Sequence, residues 1–427
     1  MPKVKFYTLG CKVNQYETQA VRESFLNKGF KESKTDKADI YVVNTCTVTN
    51  TADRKSRERI YRCIRNNPKA KVVVTGCYAQ KDSNKIAQIS GVDLIIPNEH
   101  KDRIADIVSS NNDNFRLTGT QRFLNLGISD FAGHGRAFVK IQDGCNNHCS
   151  YCKIPYVRGE SRSRELASIV KEVSRLINNG FQEIVLTGIC LGAYGRDLKQ
   201  NMDLVDVITA IEDLGASFRI RLSSIEVRDV TDRLIQKIAS SGKLCRHLHI
   251  PFQSGDNEIL KLMDRNYTTE FYKKKVDCIR KSLPDAAITT DIMVGFPQES
   301  ELRFRNTVKF LEDVSPSRMH IFPFSPRENT GAYKLGDPVN SKVKKKRLML
   351  LQDLAKSSSY EYRKSFLNKE LVVLVEQDKD KKTGLSNGYS DNYIKVLIQS
   401  KKPLEKNKLL AVKVMEVTPD STVAKPS

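Results

Sequence analysis

The chain has no run of about 18 apolar residues, so no segment reads as a membrane-spanning helix. Its first residues, MPKVKFYTLG, lack a secretory h-region and pass straight into a strand-like pattern. No hydrophobic anchor is seen at the C-terminus, and the expected location is the cytoplasm, with no membrane partner. There is no internal repeat beyond a βα rhythm and no low-complexity tract. The paired C-x2-4-C spacings of structural zinc sites are also missing. Ten cysteines in 427 residues, with no signal peptide, argue against a disulfide framework and suit a reducing compartment.

The cysteines that are present carry the most information. Cys145, Cys149 and Cys152 stand in the run DGCNNHCSYC, a C-x3-C-x2-C spacing in a tight loop. Three thiolates this close can hold three corners of a four-iron cluster. The fourth iron is then free to bind something else. Zinc is the rival reading, but no fourth cysteine follows and His148 is poorly spaced from the thiols. Unligated thiols are the remaining alternative. A second set is scattered in sequence: Cys11, Cys46 and Cys77 each follow an expected strand. In a parallel sheet all strand C-termini share one edge, where ligand crevices form. The three thiols can converge there, or they can be three small buried hydrophobes. Cys63 lies mid-helix in RIYRCIRNN and reads as core.

The net charge is +21, which favours polyanionic partners, nucleic acid above all, unless it reflects a generally lysine-rich proteome. Residues 341–427 carry 19 Lys and Arg against 10 Asp and Glu. Strand and helix patterns alternate over residues 1 to about 110, as in a parallel sheet covered on both faces. A polar stretch over 110–135 reads as a linker. Alternation resumes over 136–366 with six strands: AFVKIQD, EIVLTG, RIRLSS, HLHIPF, ITTDIMVG and RMHIFPF. Six βα units are fewer than a closed TIM barrel needs, so an open, partial (β/α)6 barrel is expected. A lysine-rich helix over 341–367 would close it. After about 368 the alternation of apolar and polar residues predicts a small antiparallel β-barrel or sandwich. The fold class is therefore α/β, with an N-terminal parallel βα domain, a partial TIM-like barrel and a C-terminal β domain. The expected boundaries are 1–120, 136–366 and 367–427.

The C-terminal strand ends of such a barrel should carry polar, glycine-rich chemistry. The cluster loop follows the first strand. Thr187 and Gly188 follow the second, Ser224 and Glu226 the third, Gln253 the fourth and Gly295 the fifth. Arg158, Arg162 and Arg164 come just after the cluster loop and suit a phosphate or carboxylate, unless they form a solvated charged loop. His247 and His249 have no assigned role.

The C-x3-C-x2-C run, with Tyr151 before its last cysteine, resembles the signature of the radical S-adenosylmethionine (SAM) superfamily. The whole chain is similar to the methylthiotransferase family, whose C-terminal TRAM domain binds RNA. The motif LGCKVNQYET resembles the branch acting on threonylcarbamoyl-adenosine beside the tRNA anticodon. The isopentenyl-adenosine branch typically reads GCQMN and the ribosomal-protein branch GCPKN. NTCTVTNTADRKSR, TGCYAQ, LTGICLGAYG, RLSSIE and HLHIPFQSGD agree with the first branch. Val227, Gln298 and Cys190 depart from the usual pattern, and none is an expected cluster ligand.

The resemblance implies two 4Fe–4S clusters, one on Cys145, Cys149 and Cys152 and an auxiliary one on Cys11, Cys46 and Cys77. It implies SAM as cofactor, with Arg162, Arg164, Thr187, Gly188, Ser224, Glu226, Gln253 and Gly295 as its contacts. One SAM would methylate a sulfur at the auxiliary cluster. Another would be cleaved to a radical that abstracts hydrogen from C2 of the adenine. The implied partners are the tRNA anticodon arm and an external electron donor such as flavodoxin or ferredoxin. Rival readings are the isopentenyl-adenosine and ribosomal-protein branches, an RNA-binding protein with structural metal sites, and a radical SAM enzyme of different outcome.

Overall fold

The computed structural model describes residues 1–110, 123–336 and 339–427. The first unit runs β1 (Lys3–Thr8), α1 (Lys12–Asn27), β2 (Lys31–Glu32), β3 (Ile40–Thr45), α2 (Asn50–Asn66), β4 (Lys71–Gly76), α3 (Cys77–Lys81), α4 (Ser83–Ala87), β5 (Leu94–Ile96) and α5 (Ile104–Ser110). The strand order is β2-β1-β3-β4-β5 and every pair is parallel. β3 and β4 are continuous apolar runs because both faces are covered. Val42 and Val73 pack with Val21, Phe25 and Ile104 on one side. Tyr41, Val43, Val72 and Val74 pack with Ile60 and Cys63 on the other.

The second unit contains β6 (Ala137–Lys140), β7 (Gln142–Asp143), α6 (Ile154–Arg158), β8 (Arg162–Ser163), α7 (Leu166–Asn178), β9 (Glu183–Thr187), α8 (Leu204–Glu212), β10 (Arg219–Leu222), α9 (Asp232–Ser240), β11 (His247–His249), α10 (Asn257–Leu262), α11 (Thr269–Ser282), β12 (Ala287–Val294), α12 (Glu301–Val314), β13 (Arg318–Pro323), α13 (Gly331–Lys334) and α14 (Ser341–Lys364). β6-β9-β10 and β11-β12-β13 are parallel triplets joined by the bridges Ile220–Leu244 and Ser224–His249. Among the described residues β13 does not pair with β6, so the six-stranded barrel is open. Ile184, Leu186, Ile220 and Leu222 face the helices in the main core, and α14 adds Leu351 to it.

The expected linker behaves differently from its composition. Residues 111–122, including the expected end of the first domain, lie outside the described residues. Over 123–135 the chain is docked: Leu124, Leu126, Ile128 and Phe131 are buried in the barrel core. Glu23 of α1 accepts from the Ser129 and Asp130 amides at 2.8 and 3.0 Å. The alternating apolar residues 124, 126 and 128 outweigh the surrounding polar ones, because an apolar edge beside an open core is buried. Tyr16 and Ala20 of α1 join the same core, so the first two units share one hydrophobic interior.

The third unit is a closed barrel, β14 (Glu370–Val375), β15 (Ser386–Ser390), β16 (Lys395–Ile398), β17 (Leu409–Val417) and β18 (Thr422–Pro426), in the order β14-β15-β16-β18-β17. Four pairs are antiparallel, but β16 and β18 are parallel. Five strands cannot alternate in direction around a closed ring, so one pair has to run parallel. This barrel docks at the N-terminal ends of the large barrel's strands. Arg219 donates to the Val372 and Tyr389 carbonyls at 3.0 and 2.7 Å. Arg221 donates to those of Ser390 and Asp391 at 2.9 and 2.8 Å. Both arginines lean on the buried carboxylate of Glu183, and His247 stacks on Tyr393 with ring centroids 4.6 Å apart.

Candidate active site

Cys11, Cys46 and Cys77 follow β1, β3 and β4, three strands adjacent in the sheet. Two glycines let their loops approach. Gly10 has φ +98°, and a Cβ there would lie 2.9 Å from both Cβ and Sγ of Cys46. Gly76, at φ +99°, has no room for a side chain against the Thr45 backbone. Cys46 and Cys77 are buried, whereas Cys11 is solvent-accessible. Burial pushes the Cys46 thiol up to about 11. The Ser56 hydroxyl donates to the Cys46 carbonyl at 3.0 Å and fixes its loop on α2.

The second cysteine set sits in the loop between β7 and α6. Gln142 holds that loop by donating to the Asp143 and Gly144 carbonyls at 2.9 and 2.8 Å, and its own carbonyl accepts from the Cys190 amide at 2.7 Å. The Cys152 amide donates to the Cys149 carbonyl at 2.9 Å, which closes a tight turn between the two cysteines. Each sulfur accepts a hydrogen bond: Cys145 from the Asn147 amide at 3.4 Å, Cys152 from the Ile154 amide at 3.5 Å, Cys149 from the Arg265 guanidinium at 3.3 Å. Such donors favour the thiolate form that a metal requires. The Cys145 thiol is lowered to about 7 by its hydrogen bond with Cys190, against burial. Burial raises Cys152 to about 12. Among the described residues no three His, Cys, Asp or Glu donors surround a single point closely enough to bind one ion. A polynuclear cluster, whose irons are separate, takes donors that are spread apart.

Two cavities flank this loop. One, of about 290 Å³, is lined by Cys149, His148, Glu226, Arg265, Arg196 and Asp229 and is strongly polar. The other, of about 220 Å³, is lined by Cys152, by Cys77 of the first unit and by Tyr151, Gln253, Met293 and Phe322. Both cysteine sets thus reach one cavity. A buried clamp holds its walls together. Arg327, beyond β13, donates to Asp53 of α2 at 2.7 Å and to the Thr47 carbonyl at 2.9 Å, immediately after Cys46.

The remaining expected residues are placed as follows. Glu226 pairs with Arg265, which donates to it at 3.1 Å. Ser224 bridges to His249, and the Thr187 carbonyl accepts from the Ile141 amide at 3.0 Å. Gly188 lies against Gln142, where a Cβ would come within 2.9 Å of its carbonyl oxygen. The Gly295 amide donates to Glu299 at 2.8 Å, and the Lys344 side chain covers it. Arg162 is half-buried and donates to the Arg158 carbonyl at 2.7 Å. Arg164 is not at the mouth: it is buried against Glu172 of α7 at 2.6 Å, with its guanidinium 3.3 Å from the Tyr16 hydroxyl. Arg158 lies neither in a solvated loop nor at a phosphate site. It donates to Glu17 at 2.9 and 3.2 Å, to Asp143 at 2.9 Å and to Asn14 at 2.6 Å.

Sequence reasoning missed Arg265 and the buried charge lattice around Glu17. Arg265 follows α10 in an ordinary polar segment, and only the fold brings it to Cys149. Arg265→Met is expected to remove a hydrogen bond and a positive charge from the Cys149 sulfur. The reduction potential of a cluster held there should move to more negative values, because added electron density loses its stabilisation. A redox titration followed by electron paramagnetic resonance reads this, and an unchanged potential would refute the role.

Residues 3–97 match the family described as Uncharacterized protein family UPF0004, and residues 139–311 match the Radical SAM superfamily. Threonylcarbamoyladenosine tRNA methylthiotransferase MtaB from Bacillus subtilis is 39% identical over 97% of this chain and 94% of its own. The protein of that name from Aquifex aeolicus is 41% identical over 88% and 93%. The chain belongs to the radical SAM methylthiotransferase family. A more distant member, tRNA-2-methylthio-N(6)-dimethylallyladenosine synthase from Desulfitobacterium hafniense, is 31% identical over 91% of this chain and 90% of its own. Among solved structures, the radical SAM methyltransferase TsrM from Kitasatospora setae shares the fold, with a TM-score of 0.52 at 14% identity over 75% of each chain. As in the family, the radical SAM unit is an α/β partial barrel, here followed by a closed β-barrel. No helix among the described residues is long and apolar enough to cross a membrane.

Proposed function

We propose that this methylthiotransferase adds a methylthio group to C2 of threonylcarbamoyl-adenosine in tRNA, using SAM and two iron–sulfur clusters. The observation that carries the reading is the cavity reached by Cys77 from one cysteine set and Cys152 from the other. Cys145, Cys149 and Cys152 would hold the SAM cluster, and Cys11, Cys46 and Cys77 the auxiliary one. Bound there, the clusters and SAM supply the one-electron chemistry and the sulfur transfer that no side chain performs. The chain's own residues orient and enclose. The amides of Asn147 and Ile154 and the guanidinium of Arg265 steady the three barrel thiolates. Arg327 ties the Cys46 loop to the barrel, so the spacing between the two cysteine sets is fixed. The apolar wall of Tyr151, Met293 and Phe322 excludes water from the space between them.

The substrate arm would lie along basic surface that includes the small barrel. Lys356, Arg363, Lys382 and Lys395 line a groove of about 590 Å³ between α14 and that barrel, with Tyr389 and Tyr393 stacked beside them. Cations for phosphates are what an RNA arm needs. The electron would come from an external donor of the flavodoxin or ferredoxin type. The domain limits consistent with this reading are 1–120, 136–366 and 367–427.

Anaerobic incubation of threonylcarbamoylated tRNA with reconstituted enzyme, SAM, sulfide and reductant, followed by nucleoside mass spectrometry, tests the assignment. A methylthio gain on threonylcarbamoyl-adenosine is expected. No gain, with 5′-deoxyadenosine still formed, would remove this substrate and direct the search to isopentenyl-adenosine tRNA and ribosomal protein.

A further inference from the structure

Among the described residues, Lys153 is the only Lys or Arg in the wall of the cavity that Cys77 and Cys152 share. It follows Cys152 directly and flanks the start of α6. It is 5% exposed. A lysine buried to this degree normally pairs with a carboxylate, because the desolvation of its charge needs compensation. Among the described residues its ammonium makes no ion pair and no hydrogen bond, and it stands only over the ring of Tyr156, 5.2 Å from the centroid.

The buried carboxylates around it are already engaged. Asp82 pairs with Lys81 at 3.1 Å, and Asp53 pairs with Arg327 at 2.7 Å. Asp291, elsewhere in the cavity wall, pairs with His249 and His320 at 3.2 Å each. Glu328 is nearby but solvent-exposed. Lys81 and Arg327 add to the positive field at Lys153. The N-terminal end of α2 opens on the same cavity through Thr47 and Thr49, and its dipole points the same way. Lys153 is therefore a surplus cation beside the space between the two cysteine sets.

We infer that Lys153 binds the carboxylate of the threonylcarbamoyl group, and so sets the preference for this adenosine over one whose N6 substituent is uncharged. This rests on the tRNA reading given above, with the target base in the cavity between the cysteine sets. The covalent layout of the base agrees. C2 and the carbon bearing N6 both adjoin N1, so the substituent leaves the ring close to the reacting carbon. A residue that reads the substituent must then stand close to the cysteines, and Lys153 is bonded to Cys152. The threonine carboxylate is the only charge the substituent carries. An isopentenyl group in its place would leave the ammonium buried and unpaired, which discriminates more strongly than a missing apolar contact.

Two anticodon stem-loops test this, one with threonylcarbamoyl-adenosine and one with its threoninamide counterpart, in which an uncharged carboxamide replaces the carboxylate. Reconstituted holoenzyme is expected to bind the amide about tenfold more weakly and to lose about the same factor in kcat/KM. Lys153→Met is expected to bind the two equally while taking up as much iron as the unaltered chain. Equal binding by the unaltered enzyme, with methylthiolation of the normal stem-loop intact, overturns this inference and leaves the tRNA reading standing. A preference that survives in Lys153→Met has the same consequence. A deficit of iron in Lys153→Met would assign the lysine to balancing cluster charge and also overturn the inference. Failure to methylthiolate any threonylcarbamoylated RNA overturns both readings.

Discussion

If the two proposed clusters are bound, Cys77→Ala protein, reconstituted anaerobically with iron and sulfide, is expected to carry about four irons and the unaltered chain about eight, and the variant to make no methylthiolated product. Cys77 is 4% exposed at the start of α3, and alanine is tolerated there sterically, so the loss would be chemical rather than a failure to fold. Its thiolate is one of the three donors proposed for the auxiliary cluster, and with two of them left that cluster should not be retained. SAM cleavage to 5′-deoxyadenosine should survive, because Cys145, Cys149 and Cys152 are untouched. Cys149→Ala is expected to give the complement: about four irons again, with SAM cleavage abolished. Iron analysis and chromatography of the nucleoside products distinguish the two. Full iron content in Cys77→Ala would remove Cys77 from the ligand set, and retained SAM cleavage in Cys149→Ala would remove the barrel site.

The second large effect lies away from the reacting atoms. Glu17 of α1 is buried and receives Arg158 at 2.9 Å, Lys140 at 3.0 Å and Lys101 at 2.5 Å. Asp143, just before the cluster loop, receives Arg158 at 2.9 Å and Lys140 at 3.1 Å. Two carboxylates from different units therefore hold three buried cations. Glu17→Gln removes one charge and leaves those cations under-compensated, and breaking a buried network costs about 3–5 kcal/mol. Chemical denaturation should show that loss, with the midpoint moved and the slope unchanged. A loss below about 1 kcal/mol, typical of exposed pairs, would show that the lattice is not desolvated in solution.

The same lattice sets an acid limit. Burial alone would raise both carboxyls, but Arg158 outweighs burial, together with Lys101 and Lys140 at Glu17 and with Lys140 at Asp143. Glu17 ends well below its ordinary value and Asp143 at about 2. For a depressed carboxyl the stabilisation is complete above the unfolded-state value, near pH ~4. It is lost as the pH falls through the folded-state value, which for Asp143 means a loss towards pH about 2. Glu17→Gln should therefore lose part of the acid sensitivity below pH ~4 that the unaltered chain shows.

Much of the architecture was legible in the chain. The six strands from AFVKIQD to RMHIFPF form the open barrel, as their apolar runs predict. The local patterns are strong because parallel strands buried on both faces must be apolar throughout, and the helices covering them need one apolar stripe. The misreadings have one kind of cause. Arg164 and Arg158 look in sequence like a charged mouth, and nothing local announces that Glu172 and Glu17 wait inside to neutralise them. The stretch after residue 122 looked like a linker because composition registers its polar residues and not the open core edge beside it. The C-terminal strands alternate as antiparallel strands do, yet whether their ring closes, and so whether one pair must run parallel, is a global property.

By itself the sequence determined the chemistry available: six cysteines at informative positions, three in one tight loop and three at successive strand ends. Those are statements about spacing and periodicity, and a chain carries them locally. Only the tertiary structure decided what faces what. It brought Cys77 and Cys152 to one cavity, set Arg265 on Cys149 and sealed α1 to the barrel through Glu17. These pairings join residues tens to hundreds of positions apart. Their energies depend on the burial of both partners at once, which no local pattern encodes.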